Sequence, residues 1–211
     1  MLSYMSQSSQ IASPADAVRE PTRSRGKKRV ADLMAAAEVV FLEKGYEAAT
    51  MTEIAVQAGA SIGSLYQFFP TKPLLAEALH VQLLGALLEA IGALANHCSK
   101  EAPLEQLVGR LFDELLAFMS ERPVFTVLAE RRDIEKSRKA ATRADLLKRI
   151  SWSLALAEPP LSVERQGAVA LLVVLMMKAA VAVRAEGGDA PEAAAVIAEL
   201  REMLIQHLTR G

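Results

Sequence analysis

Cysteine is nearly absent from this chain: Cys98 is the only one in 211 residues, so no disulfide can form within it and a reducing, cytoplasmic setting is expected. Aromatic residues are scarce at 5%, against 52% hydrophobic residues overall, which leaves Ala, Leu, Val, Ile and Met to build the interior. Ala, Leu and Met lose little freedom in helices, whereas aromatic and β-branched residues favour strands. Sustained period-two alternation is missing too, and an all-α protein follows. Charge of one sign does not dominate, since the formal net charge is -1, so any attraction to a polyanion must come from a local cluster. A leader-like apolar stretch is missing from the start, and residues 1–22, rich in Ser, Gln and Pro, are expected to be a disordered arm. The longest apolar run, Gly167 to Val183, is shorter than the ~20 residues a membrane span needs and includes Lys178, which predicts a buried helix and no membrane partner.

What is present is a series of helix-length segments separated by breakers. A basic cluster, Arg23 to Arg29, precedes Leu33, Ala37, Val40 and Phe41 at helical spacing, and Gly45 marks the stop. Thr50 with Glu53 three residues on forms a capping-box pattern for a short second helix that ends before Gly59. Ser61 can cap a third helix, closed by Pro70, and Thr71 a long fourth. Pro103 and Pro123 open two more. A segment from Ile134 to Ala157 starts charged and turns apolar around Trp152, and Pro159–Pro160 breaks the chain again. Ser162 is placed to cap an apolar helix ending at Gly187–Gly188, and Asp189 with Glu192 to start a last one through Leu208. About nine helices are expected, with a boundary between two parts inside the long fourth helix.

The segment Thr50 to Lys72 carries the chemistry. A helix-turn-helix needs one helix that crosses the DNA backbone, a tight turn, and a second helix whose early side chains reach base edges. Ile54, Ala58, Ile62, Leu65 and Phe69 are spaced to face inward, Gly59 to make the turn, and Gly63, Ser64 and Gln67 to face outward. A glutamine at such a position can pair with adenine, and a glycine lets backbone approach closely. Thr50, Ser61, Tyr66 and Lys72 carry groups that bond phosphate, and Arg25, Lys27 and Lys28 would add sequence-independent affinity that weakens with salt.

The order T-x-x-E-I-A-x-x-A-G-x-S-x-G-x-L-Y-x-x-F-P-x-K, Thr50 through Lys72, closely resembles the DNA-binding domain of TetR-type bacterial repressors. Ile62 departs from that family's frequent lysine, and Pro73 from a frequent acidic residue. The resemblance implies a helix-turn-helix head, residues 23–75, on an all-α ligand-binding and dimerisation body, residues 76–211. It implies a palindromic DNA operator as one partner, a second copy of the chain as another, and a small-molecule effector as a third. The last two apolar helices would pair in the dimer through Leu172, Leu175, Ala179, Ile197 and Leu204. The Leu- and Met-rich body points to a hydrophobic effector, with Phe112, Met119, Phe125, Trp152 and Met176 as candidate contacts. An activator of the same family, or a helical interaction module that binds no DNA, is the alternative reading.

Three other patterns are set aside. Gly59 to Gly63 also matches the G-x-S-x-G of a hydrolase elbow, but that motif needs a strand before Ser61. His97 and Cys98 are adjacent, so on a helix they diverge and make a poor metal pair. Arg131, Arg132, Lys136, Arg138 and Lys139 alternate with acids and are expected on a solvated surface. No catalytic residue, metal or cofactor is assigned.

Overall fold

The computed structural model describes residues 24–97, 103–129, 131, 136–158 and 161–209. The expected arm and Cys98 lie outside them. Among the described residues there are nine α-helices and no strand: α1 Ser24–Ala48, α2 Met51–Gln57, α3 Ile62–Phe68, α4 Lys72–His97, α5 Leu104–Glu121, α6 Val124–Ala129, α7 Lys136–Leu154, α8 Val163–Gly187 and α9 Pro191–Thr209. The chain forms two compact units, one ending at Leu79 and the other starting at His80.

In the first unit α1 packs on α2 and α2 on α3. Leu33, Ala37 and Phe41 from α1, Ile54 from α2, Leu65 from α3 and Phe69 after it are fully buried, and Leu75 and Leu79 of α4 complete this core. Phe41 also meets Tyr46, with ring centroids 5.5 Å apart. Gly45 is where regular α1 geometry stops, at φ 75° and ψ 161°, as its position after Lys44 predicts.

The second unit is built on α5, which is strongly amphipathic: Leu107, Leu111, Phe112 and Leu115 recur at helical spacing and are all buried. It packs against α7, α8 and α9, and α8 packs against α7 and α9. Two arginines tie helices together over glycines. Arg149 of α7 donates from Nε to the carbonyl of Leu88 on α4 at 3.2 Å, and a Cβ on Gly92 would sit 2.4 Å from its guanidinium. Arg201 of α9 forks onto Asp113 of α5, at 2.8 and 3.0 Å, across Gly109.

Helix ends differ from expectation in two places. Ser162 stands at the start of α8, but its side chain makes no cap bond to the backbone. The last helix begins at Pro191, not at Asp189, because proline's fixed φ suits a first helical position. The apolar run lies in α8, Val163–Gly187, the span expected between Ser162 and Gly187–Gly188. Both α4 and α8 are long and apolar enough to cross a membrane by length and composition, although α8 packs on three other helices.

Candidate nucleic-acid interface

Thr50 and Glu53 make the full capping box at the start of α2. The Thr50 hydroxyl accepts from the Glu53 N–H at 3.3 Å, and the Glu53 carboxylate accepts from the Thr50 N–H at 3.0 Å. That carboxylate also takes the Thr50 hydroxyl proton at 2.8 Å and an ammonium proton of Lys44. The bond from Lys44, followed by those from Thr50, lowers the Glu53 pKa to about 2. With its proton committed to Glu53, Thr50 acts here as a cap.

The turn after α2 closes as a Schellman motif. The Ala60 N–H donates to the carbonyl of Ala55 at 2.9 Å and the Gly59 N–H to that of Val56 at 3.0 Å. Gly59 lies at φ 56°, the left-handed position its place in the sequence demands. Ser61 then caps α3, its oxygen accepting from the Ser64 N–H at 3.2 Å, so its hydroxyl hydrogen is still available to an acceptor such as phosphate. A helix precedes this turn, so the strand of a nucleophile elbow is not there.

On α3, Leu65 is fully buried, as is Phe69 at its C-terminal cap, and this seats the helix. Gly63 and Gln67 are exposed, Tyr66 is 48% exposed, and Ser64 is half-buried. The expected inward position of Ile62 is corrected: it is exposed, because at the first helical position it lies beyond the core that Leu65 and Phe69 share. Ile62 and Tyr66, four residues apart, stand on one face.

The surroundings of Lys72 also differ from expectation. Lys72 does not project towards a phosphate. Its ammonium donates to the carbonyls of Tyr46 at 2.8 Å, Glu47 at 3.0 Å and Ala49 at 2.9 Å, and sits 4.6 Å from the centre of the Tyr46 ring. An ammonium has three protons, and three carbonyls take them. The basic residues Arg25, Lys27 and Lys28 are exposed on the first turns of α1. No acidic residue accompanies them in that first turn. Cations at the positive end of a helix dipole destabilise it, so helix stability does not account for their placement.

In the second unit, Phe112, Met119 and Phe125 are buried and Met176 is half-buried, whereas Trp152 is exposed under the Arg149 guanidinium, 5.3 Å from the ring centre. Of the expected pairing residues, Leu172 is half-buried and Leu175 and Ala179 are exposed. Ile197 and Leu204 are buried within the chain, sharing an inward stripe with Ala193 and Leu208. The exposed large apolar residues of α9, not among those expected, are Val196 and Met203. Their position seven apart was the available signal. Arg131, expected in solvent, is 4% exposed.

Two family models match this chain: bacterial regulatory proteins of the tetR family over residues 33–79, and a tetracyclin repressor-like C-terminal domain over residues 103–208. Similar solved structures include the transcriptional regulator FadR from Bacillus subtilis in complex with stearoyl-CoA, at TM-score 0.69 and 15% identity, with 83% of this chain and 97% of that one covered. A TetR-family transcriptional regulator from Streptomyces coelicolor superposes at TM-score 0.63 and 23% identity, with 86% and 98% covered. NalD, the secondary repressor of the MexAB-OprM multidrug efflux pump in Pseudomonas aeruginosa, does so at 0.61 and 17%, with 87% and 97% covered. At such identities the likeness is one of fold. No curated protein matches the chain.

Proposed function

The chain belongs to the TetR family of bacterial regulatory proteins, a family of DNA-binding transcriptional regulators, and from that premise we propose that it is a cytoplasmic, ligand-responsive repressor that binds a palindromic operator as a homodimer. The observation that carries this reading is α3, a helix capped at Ser61, seated by Leu65 and Phe69, and presenting Gly63, Tyr66 and Gln67 outward. Gln67 suits an adenine edge, Tyr66 and the Ser61 hydroxyl suit phosphate, and Arg25, Lys27 and Lys28 supply non-specific attraction. A two-fold operator would place half-sites ~34 to 36 Å apart, one helical turn.

Dimerisation is supported by the apolar residues that α8 and α9 leave outward. Leu175 is 49% exposed and Met203 60%, on helices whose other faces already pack inside the unit. An effector in the body would oppose operator binding by reciprocal coupling.

The test selects bound sequences from random duplex DNA and titrates the selected site by gel shift. Enriched sites should be inverted repeats. Tyr66→Ala and Gln67→Ala should each cost about 1 to 3 kcal/mol of specific binding, with helical circular dichroism intact. Enrichment of no site, together with salt-independent binding, would refute the reading.

A further inference from the structure

Inside the second unit sit polar side chains that DNA reading does not use. His80 on α4 is 9% exposed, and its ring stacks on Phe125 of α6, with centroids 5.0 Å apart and planes 17° from parallel. Phe118 of α5 meets Phe125 edge-on at 6.0 Å. Nδ1 of His80 and Oγ1 of Thr126, the residue after Phe125, are closed off from solvent and have no hydrogen-bond partner among the described residues. Arg131 is buried just past the end of α6, with its N–H donating to the carbonyl of Leu128 at 3.4 Å. Burial first, and the Arg131 charge second, hold the His80 pKa below its ordinary value, so the ring is neutral at pH 7.

Buried polar atoms without partners are costly, and native chains retain few of them. Here one such atom lies on α6, five residues before Arg131, and the other on a ring stacked against Phe125 of that helix; a guanidinium's planar fork matches oxyanion geometry. A neutral imidazole can donate from Nδ1, and a threonine hydroxyl can donate as well. We propose that His80, Thr126 and Arg131 form the head-group site for an oxyanion carried on an apolar tail, with Phe118 and Phe125 against that tail. A cationic head would be repelled by Arg131. An uncharged alkyl head would leave Nδ1 and Oγ1 as they are. The inference rests on reading this unit as the effector-binding body.

The probes share one tail: decanoate, decyl phosphate, decanol and decyltrimethylammonium, each below its micelle concentration, titrated calorimetrically into the full chain. At least one anion should bind tenfold or more tightly than decanol, and the stronger of the two identifies carboxylate or phosphate. The cation should bind most weakly. Arg131→Gln should cut the preference of the anions over decanol below threefold. Should that variant lose its helical signal, Thr126→Val, which keeps the shape and removes the hydroxyl, should still reduce the preference. Anions no tighter than decanol, a preference that survives both variants, or binding of none of the four would overturn the site. Gel shifts run in parallel separate the two readings. Specific DNA binding without anion preference sinks the site alone, and anion preference that leaves DNA affinity unmoved keeps the site while removing the effector response.

Discussion

Lys72 spends its charge inside the protein. Its three carbonyl partners lie in the segment that follows Gly45, where α1 has lost regular geometry and its last carbonyls need donors. Replacing it with Met should therefore lower stability by about 1 to 3 kcal/mol, the usual effect of losing charge-assisted hydrogen bonds, as read from urea midpoints. The folded fraction should keep its DNA affinity. A variant of unchanged stability but weaker DNA binding would restore the phosphate role that the motif implies. These partners were not readable from the motif, because they are backbone carbonyls 23 to 26 residues away, and such groups leave no trace in side-chain patterns. The inward set Ile54, Leu65 and Phe69 was readable, since spacing alone defines a face. Glu53 yields a pH prediction. Its carboxylate is lowered from 4.5 to about 2, chiefly by Lys44, so the folded state binds fewer protons than the unfolded one across that interval. Its contribution is fully present above about pH 4.5 and fades as pH falls towards 2. Thermal midpoints should drop through that window, and Glu53→Gln should flatten part of the drop. An identical slope in the variant would mean that the capping box contributes nothing to acid stability.

At the scale of elements, the glycines show how helices are joined. Gly109 lets Arg201 of α9 lie across α5 and fork onto Asp113, an ion pair exposed enough to be worth about 0 to 1 kcal/mol. A Cβ at Gly109 would come within 2.5 Å of the guanidinium nitrogen, the far end of a flexible side chain that can move aside. Against that loss stands the gain of roughly 0.8 to 1 kcal/mol when Ala replaces Gly inside a helix. The loss offsets part or all of the gain, so Gly109→Ala should lie between about neutral and about 1 kcal/mol more stable than the parent. In an Arg201→Ala background, where nothing is left to displace, the same change should stabilise by about 1 kcal/mol. A double-mutant cycle measures the difference, and additive values would mean that the fork carries no weight. Gly59 behaves oppositely. Nothing lies within 4 Å of a Cβ there, but φ is 56°, so Gly59→Ala should cost about 1 to 2 kcal/mol through the backbone alone. Sequence pattern located the helices well because breakers and caps such as Gly45, Thr50 and Pro123 act locally. It misplaced Arg131 and Ile62, whose burial depends on which helices pack together.

For the molecule as a whole, α8 and α9 pose one question: what covers their outward apolar side chains. Leu172, Leu175, Ala179 and Ala182 recur at helical spacing on α8 and are exposed or half-exposed, as are Val196, Leu200 and Met203 on α9. Inward stripes on both helices, Val169, Val173 and Met177 on one and Ile197 and Leu204 on the other, are already used within the chain. The proposed partner is a second copy, and a two-fold interface counts each residue twice. Burying the exposed half of Leu175 and of Met203 is worth about 1 kcal/mol per side chain, from the ~1.5 to 3 kcal/mol of full burial, hence roughly 4 kcal/mol per dimer. Leu175→Glu with Met203→Glu removes that term and adds carboxylates that resist desolvation. The dimerisation constant should fall by at least about a thousandfold, since each 1.4 kcal/mol is a factor of ten. Sedimentation at micromolar concentration should show monomer for the variant and dimer for the parent. Operator affinity should fall with it, because two half-sites would then be bound independently, while affinity for a single half-site should stay unchanged. Loss of half-site binding as well would locate the damage in the fold, and a variant still dimeric would move the interface off these two helices.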